Sequence, residues 1–576
     1  MAALAPAYLP RRPTETVLYG LVRQNLESFL AHAREHYDGR LPRYVELELR
    51  AYLACGIFSE GFTRCHCDAC GHDLLVAFSC RGRSICPSCC GRRMANTAAA
   101  IVDRVLPDVP LRQYVLSLPY ELRRLAAFKA DVLTALGRLF VEAIFASYRA
   151  RAKRDGVRDG QCGAINFVQR FGSMNLHVHF HVMVLDGVFV RHPDAGVLFQ
   201  PAAAPTSEEL EAIVRRVHKR AKAWLRRHGY LDERPFEERS NELPTQTALD
   251  ACAAIAMGRG QVSTLPNADA PDASQADHES APDKPAVAVV DRDGFNLHAG
   301  VRIEAGDDVG RERLLRYGAR PPLSLERLRR LPGGRVAYRL KYVGRGRGKF
   351  RVMSGLEFMA RLAALIAPPR YPLVRYAGVL GPRSAWRKDI VPKPCERRPA
   401  CHGARDEASD TVKPRTEPKK AEASQQRTKR SSEAADSAPH GRDSGVPQPA
   451  VMPPATEVPP VLPAIVARPG DVIALAPNVL SVKHWDRLLG GVLYAAGPRV
   501  DWAALLRRSF QTDVMECVKC GGRLRVLAVV TEREPVRRIL SHLGLPPDAP
   551  PLARARDPTD DLEDAEPSGQ LGLGFA

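Results

Sequence analysis

The chain has 576 residues, 45% of them hydrophobic, with 47 prolines and 43 glycines, which is too long for one ordinary core and implies two to four domains with much irregular structure. Its 84 Lys and Arg outweigh 65 Asp and Glu to a formal charge of +19, which favours a polyanionic partner, nucleic acid before a membrane surface. No stretch is apolar for the length of a bilayer span, and the opening MAALAPAYLPRRPTE lacks a secretory layout, so a cytoplasmic location is expected and the 14 cysteines read as metal ligands more than disulfides.

Residues 14–60 carry apolar positions at helical spacing (Val17, Leu18, Leu21, Val22, Leu26, Phe29, Leu30) and predict N-terminal helices. A cysteine-dense segment follows, RCHCDACGHDLLVAFSCRGRSICPSCCGRR. It holds Cys67-x2-Cys70 and Cys86-x2-Cys89, two knuckles fifteen residues apart, which is the spacing of a zinc ribbon over about 61–95. The expected ligands of one structural Zn²⁺ are therefore Cys67, Cys70, Cys86 and Cys89. Cys65, His66, His72, Cys80 and Cys90 are surplus; they either serve a second ion or pack. Arg81, Arg83, Arg92 and Arg93 would give such a ribbon a phosphate-contacting surface.

From residue 105 to about 395 the pattern is mixed. RQYVLSLPY reads as a strand, and ELRRLAAFKADVLTALGRLFVEAIFASYRARAKR as a long amphipathic helix. AINFVQRFG and LHVHFHVMVLDGVFV read as two strands joined by the short GSMN turn, and GVLFQP as another; the class is α+β. In the second of these strands His177, His179 and His181 occupy every second position. Side chains at i, i+2 and i+4 share one face, so the imidazoles line up at roughly 6.6 Å intervals while Val178, Phe180, Val182 and Val184 point into a core. Burying several unpaired imidazoles is costly, and neutral imidazole is the commonest protein metal ligand. The row asks for a metal.

Residues 206–230 form a strongly basic helix in which Arg215, Arg216, Lys219, Arg220, Lys222, Arg226 and Arg227 accumulate with no acid after Glu211. It is either a DNA track or a solvated face. Residues 259–287 resemble a flexible insertion. GFNLHAGVRI is a strand, and DDVGRERLLRYGARPP a short helix capped by Asp307 or Asp308 and stopped near Gly318 and Pro321. In RVAYRLKYVGRGRGKFR, Tyr338 and Tyr342 alternate with Arg339 and Lys341, as in a strand with an apolar and a basic face. Its glycines fail the phosphate-loop register, so no nucleotide requirement follows. Residues 396–470 have the composition of a disordered linker. A small module follows at about 473–546, then a loose tail over 547–576. The module's Cys517 and Cys520 form a lone knuckle, half of a possible second zinc site, which Cys395 and Cys401 would complete if the thiols are not simply unpaired or intermolecular.

A His-apolar-His strand together with a helix carrying a tyrosine resembles the HUH endonucleases. The wider order of SICPSCCGRRMA, YVLSLP, FVQRFGSMNLHVHFHVMVLDGVF, RYGARPPL, GLEFMARLAALIAPPR and CVKCGG resembles the rolling-circle insertion-sequence transposases with a zinc-ribbon front end, the common-region (ISCR-type) transposases included. The resemblance spans roughly residues 15–395 and the C-terminal module. It implies an antiparallel HUH sheet with flanking helices, preceded by the zinc ribbon and followed by linker and module, in a bacterial protein that acts at the nucleoid.

That resemblance implies chemistry at named positions. Tyr317 stands where the family places its nucleophile, and Arg313 where a first tyrosine would be; residues four apart share a helix face, so Arg313 would hold phosphate. A Mg²⁺ or Mn²⁺ ion on His179 and His181, with either His177 or Gln169 as third ligand, would polarise a phosphate. A tyrosine hydroxyl titrates near about 10 and needs activation to attack. The product would be a 5′-phosphotyrosine on single-stranded or hairpin DNA bound through Arg313, Arg215, Arg216, Lys219, Arg220, Arg339 and Lys341. Two other readings compete. One is a zinc-ribbon DNA-binding protein without catalysis. The other is a metallohydrolase unrelated to DNA, disfavoured because Met183 and Val184, rather than Asp-His, follow His181.

Overall fold

The computed structural model describes residues 11–37, 40–231, 247–258, 289–340, 349–392 and 513–556, with a two-residue strand at Ile473–Ala474. The expected insertion at 259–287, the linker at 396–470, and Lys341, Tyr342, Cys395 and Cys401 lie outside the described residues.

Two helices open the chain. α1 (Val17–His36) begins at Thr16, whose side chain accepts from the Tyr19 N–H, and α2 (Arg43–Ala54) follows. Leu18, Val22, Leu26 and Phe29 on α1, with Val45 and Leu49 on α2, form stripes at helical spacing. Both stripes enter the same hydrophobic core as the central sheet, so these helices are part of that core rather than a layer of their own.

The hairpin β1 (Phe62–Cys67) and β2 (Asp73–Ala77) leads into α3 (Pro87–Arg104), which starts directly on the second cysteine knuckle with Pro87 in its first turn. Then come β3 (Leu111–Ser117), α4 (Tyr120–Phe128), α5 (Ala130–Arg154), β4 (Gly163–Gly172), β5 (Asn175–Leu185), β6 (Gly187–His192) and β7 (Gly196–Pro201). They are followed by α6 (Ser207–Arg227), α7 (Ala248–Ala256), β8 (Val289–Arg292), β9 (Phe295–Ile303) and α8 (Asp308–Gly318). The chain continues with β10 (Leu328–Arg330), β11 (Val336–Arg339), β12 (Phe350–Met353), α9 (Gly355–Leu365), β13 (Val374–Gly378) and α10 (Arg387–Ile390). The described C-terminal elements are β14 (Ile473–Ala474), β15 (Leu524–Val530) and α11 (Arg533–His542).

The central sheet has six strands in the order β13-β4-β5-β3-β9-β8, every neighbouring pair antiparallel. The histidine strand β5 is therefore interior. Its hairpin with β4 turns at Ser173 and Met174, both in the left-handed region (φ 45° and 70°), the geometry of a two-residue turn that matches strand twist. One face of the sheet presents Tyr114, Leu116, Val168, Phe180, Val182 and Val184 to a core shared with α5 and α6. The other presents Ile165, Phe167, Met183 and Leu185 to α3 and α8, whose Ile101, Val102, Leu314 and Leu315 cover them. The alternation of β5 puts His179 and His181 on this second face.

A second sheet, β15-β1-β2, joins the two ends of the chain. Two further three-stranded sheets, β10-β11-β12 and β14-β7-β6, lie elsewhere in the sequence order. Tyr338 on β11 is only 3% exposed and belongs to the core, the role its alternation favours over a nucleophile's. Among the described residues no helix is long and apolar enough to cross a membrane.

Candidate functional site

Neighbours on both sides frame the histidines. His179 lies opposite Gln169 on β4 and Ser117 on β3, and His181 opposite Phe167 and Val115. His179 and His181 are 4% and 2% exposed, and His177, near the start of β5, is half-buried. Successive rings are 5.0 and 4.9 Å apart by centroid. Burial pushes the His179 imidazole down to about 4 and His181 well below the usual range, so both rings are neutral.

Hydrogen bonds set which nitrogen is available. The His179 Nδ1 lies 3.0 Å from the His177 carbonyl, which can only accept, so Nδ1 carries the proton and Nε2 the lone pair. The His181 Nδ1 is 2.9 Å from the side-chain amide of Gln113. As placed, the Gln113 Nε2 faces the ring and donates to Nδ1; a cation on the His181 Nε2 requires that amide to be turned over, oxygen to the ring, so that Nδ1 carries the proton and Nε2 the lone pair. That Nε2 is buried without a hydrogen-bond partner, which suits a metal ligand. The three imidazoles do not converge: among the described residues, the clusters with all ligand atoms within 4.8 Å of one another are built from cysteines. His177 Nδ1 lies 3.2 Å from His179 Nδ1, so the three rings form a row along the strand rather than one cluster.

Tyr317 comes from α8, on the same side of the sheet. Asp307 caps that helix, accepting from the Gly310 N–H at 2.8 Å, one of the two caps expected. At the other end Gly318 lies against Phe167 and Met183; a Cβ there would stand 3.0–3.1 Å from both, so glycine lets the helix end close on the sheet. The Gln169 Nε2 donates to the carbonyls of Tyr317 and Gly318 at 2.8 and 3.0 Å. Its Oε1 accepts from Arg320 Nε at 3.2 Å. The Gln169 amide, expected as a candidate metal ligand, is thus engaged in fixing the helix to the sheet. The Tyr317 ring meets His181 edge-on at 5.3 Å between centroids, and the residue is 37% exposed.

The cysteines assemble differently from the expected single ribbon, which is a correction. Cys67, Cys70, Cys86 and Cys89 do not form one group; the two knuckles go to separate clusters. Cys86 and Cys89, at the start of α3, join Cys55 from the end of α2 and Cys80 from the loop after β2. Here Sγ atoms lie 3.7 Å (Cys55–Cys89), 3.6 Å (Cys55–Cys86) and 3.5 Å (Cys80–Cys89) apart. Cys67 and Cys70 join Cys517 and Cys520, with Cys67–Cys520 and Cys70–Cys517 both at 3.5 Å. A tetrahedral Zn²⁺ with bonds of about 2.3 Å has ligand edges of about 3.8 Å, so four thiolates at these spacings fit it. Contact with Cys80 draws the Cys55 thiol down while contact with Cys55 pushes Cys80 up. The knuckle spacing read from sequence identified four true cluster members and paired them wrongly, because Cys55 belongs to no knuckle and Cys517 and Cys520 are distant in the chain.

Comparison with known proteins fits this layout. A family model described as "Transposase zinc-binding domain", of IS91 type, matches residues 21–118, and one described as "Putative transposase" matches residues 163–387. In these two segments the chain is similar to insertion-sequence transposases. A relative is the transposase for insertion sequence element IS801 of Pseudomonas savastanoi pv. phaseolicola, 32% identical over 187 residues, a match covering 32% of this chain and 41% of the relative. No solved structure matches the chain.

The expected basic contacts fall in different places. Arg313 is exposed on α8, one turn before Tyr317. Arg339 is exposed on β11. The helix α6, begun by a capping box of Thr206 and Glu209, packs on the face of the sheet opposite the histidines. Its Arg215, Arg216 and Lys219 are exposed there, and Arg220 is paired with Glu142 at 2.6 Å. These α6 cations and Tyr317 thus lie on opposite faces of the central sheet. Two site residues were missed from the sequence, Gln113 and Arg320. Gln113 carried a signal: in RQYVLSLP it alternates with the buried Tyr114 and Leu116, a polar residue on the inward strand's other face. Arg320 follows Tyr317 by one helical step in RYGARPP, beyond the helix end, where periodicity says nothing of its direction.

Proposed function

We propose that this transposase nicks and transfers single DNA strands, with Tyr317 as nucleophile and the His179–His181 pair as the seat of a catalytic Mg²⁺ or Mn²⁺, in rolling-circle movement of its element. The antiparallel sheet with a histidine strand at its centre and a tyrosine helix on the histidine face supports an HUH arrangement. The observation that carries the reading is the approach of the Tyr317 ring to His181, 5.3 Å between centroids, with the ring partly open to solvent.

A divalent cation held by the Nε2 atoms of His179 and His181, with the Gln113 amide turned oxygen-first to the ring, would bind a non-bridging phosphate oxygen and offset the charge that grows there. The chain's own residues do the rest. Gln169 holds the carbonyls of Tyr317 and Gly318, so the phenol is presented at a fixed distance from the histidines. Arg320, stacked over the Tyr317 ring, and Arg313, one turn earlier, place positive charge where a backbone phosphate must lie. The phenolic oxygen forms a bond to phosphorus and releases its proton; the bond from phosphorus to the 3′ oxygen breaks, and that oxygen takes up a proton. The 5′ end is left on Tyr317 and the 3′ hydroxyl is free, so the energy of the broken phosphodiester is kept for rejoining.

The test is a denaturation-resistant adduct between the protein and a single-stranded oligonucleotide from the element's terminus, with Mg²⁺ or Mn²⁺. Wild type is expected to form it, and Tyr317→Phe to form none while remaining folded. An adduct of equal yield in Tyr317→Phe removes the assignment. A His179→Ala protein that unfolds would favour the non-catalytic zinc reading.

A further inference from the structure

The cluster of Cys67, Cys70, Cys517 and Cys520 lies half outside the matched zinc-binding domain, which ends at residue 118. We infer that it is a second tetrahedral zinc site, built from the two ends of the chain, and that segment 513–556 is the completing half of the N-terminal metal domain. This inference is independent of the nucleophile assignment.

The two knuckles are equivalent in backbone as well as sequence. In CDACG the Gly71 N–H donates to the Cys67 carbonyl at 2.9 Å, and in CVKCG the Gly521 N–H donates to the Cys517 carbonyl at 2.9 Å. The Cys67 N–H donates to the His72 carbonyl at 2.9 Å and the Cys517 N–H to the Gly522 carbonyl at 2.7 Å. Gly71 and Gly521 adopt φ of +70° and +71°, a conformation that suits glycine. Each loop thus presents two thiols in the same way, and the loops face one another across the cluster. Isolated, either knuckle is half a coordination sphere; together they make a closed set of four thiolates, the form of a structural rather than a catalytic zinc.

The rest of the junction agrees. β15 pairs with β1 from Phe62–Val530 to Cys67–Leu524, so the C-terminal strand is the third strand of the front-end sheet. Arg525 reaches Asp68, inside the first knuckle, at 2.6 Å. Val536 and Leu540 of α11 bury against Phe62 and Leu75. That apolar cluster is small, and a segment with so little core of its own needs a staple such as a metal to hold its fold.

The full-length chain decides the matter by zinc content and thiol protection. Purified wild type is expected to hold two zinc ions per chain by mass spectrometry under native conditions. A Cys517→Ser/Cys520→Ser variant is expected to hold one, with Cys67 and Cys70 newly open to iodoacetamide and Cys55, Cys80, Cys86 and Cys89 still protected. Two ions in the variant, or continued protection of Cys67 and Cys70, would overturn the shared site. If the variant does not fold, wild type alone is sufficient: one ion per chain with Cys517 and Cys520 freely alkylated refutes the inference, and two ions with all eight thiols protected uphold it.

Discussion

The Arg320 guanidinium lies over the Tyr317 ring, its central carbon 4.7 Å from the ring centroid, while its Nε donates to Gln169 at 3.2 Å. One arginine therefore links the proposed nucleophile to the strand beside the histidines. Arg320→Ala removes both the stacked charge and the brace on Gln169. Misplacing a reacting group by about 1 Å costs on the order of 100-fold in rate, and adduct formation is expected to slow by roughly 10- to 100-fold with the melting temperature little changed. Arg320→Lys keeps charge but not the planar stack and should fall between. A single-turnover cleavage time course measures all three; wild-type rates in Arg320→Ala would show that the guanidinium takes no part.

Gln169 separates two roles by two measurements. As a brace it holds α8 through the carbonyls of Tyr317 and Gly318; as a ligand it would hold the cation. Gln169→Ala is expected to lower the adduct rate by about 10- to 100-fold, the usual scale for groups that orient a metal site. Mn²⁺ affinity, followed by calorimetry or electron paramagnetic resonance, should stay near wild type. A parallel collapse of Mn²⁺ affinity would restore Gln169 to the coordination sphere.

How much of this was legible in the sequence follows the range of each signal. Alternation along residues 177–184 is local, and it placed the histidines on one face with Phe180 and Val182 on the other, as found. The cap at Asp307 and the stop at Gly318 are local too, and the helix with Tyr317 lies between them. The cysteine partners were not legible: Cys55 ends a helix, and Cys517 meets Cys70 from 447 residues away. No spacing rule reaches that far. Charge density on α6 was plain, but which side of the sheet a helix covers depends on its apolar stripe, Leu210, Ile213, Val214 and Val217, choosing among cores that only the fold defines.

Cation binding should register as stability. The unpartnered His181 Nε2 is buried polar surface of the kind that costs about 1–3 kcal/mol, and a ligand bound only to the folded state at about 100 times its dissociation constant adds about 2.7 kcal/mol. Saturating Mn²⁺ is therefore expected to raise the melting temperature of wild type. It should leave His179→Ala and His181→Ala unmoved. Equal shifts in all three, read by calorimetry in zinc-replete buffer, would place the cation elsewhere.

Asp186 fixes the register on which the histidine face depends. It is fully buried at the end of β5, where Arg112 of β3 grips it at 3.0 and 2.9 Å, Arg302 of β9 at 2.8 Å, and the Tyr148 hydroxyl donates at 2.6 Å. Three adjacent strands are thereby pinned at one point, and a slip of one residue would turn His179 and His181 to the opposite face. Arg302 also pairs with Glu304 and is partly exposed, so it can find water if the carboxylate is lost; Arg112, 5% exposed, cannot. Asp186→Asn keeps the shape and removes the charge, stranding the Arg112 guanidinium, and is expected to cost about 3–5 kcal/mol in urea unfolding. Arg112→Met in the same chain removes the stranded group and should recover a large part of that loss, since an apolar replacement of a buried pair is often close to neutral. If the double variant is no more stable than Asp186→Asn, the cost lies in the lost Tyr148 and Arg302 contacts, and Arg112 is not the partner that makes Asp186 necessary.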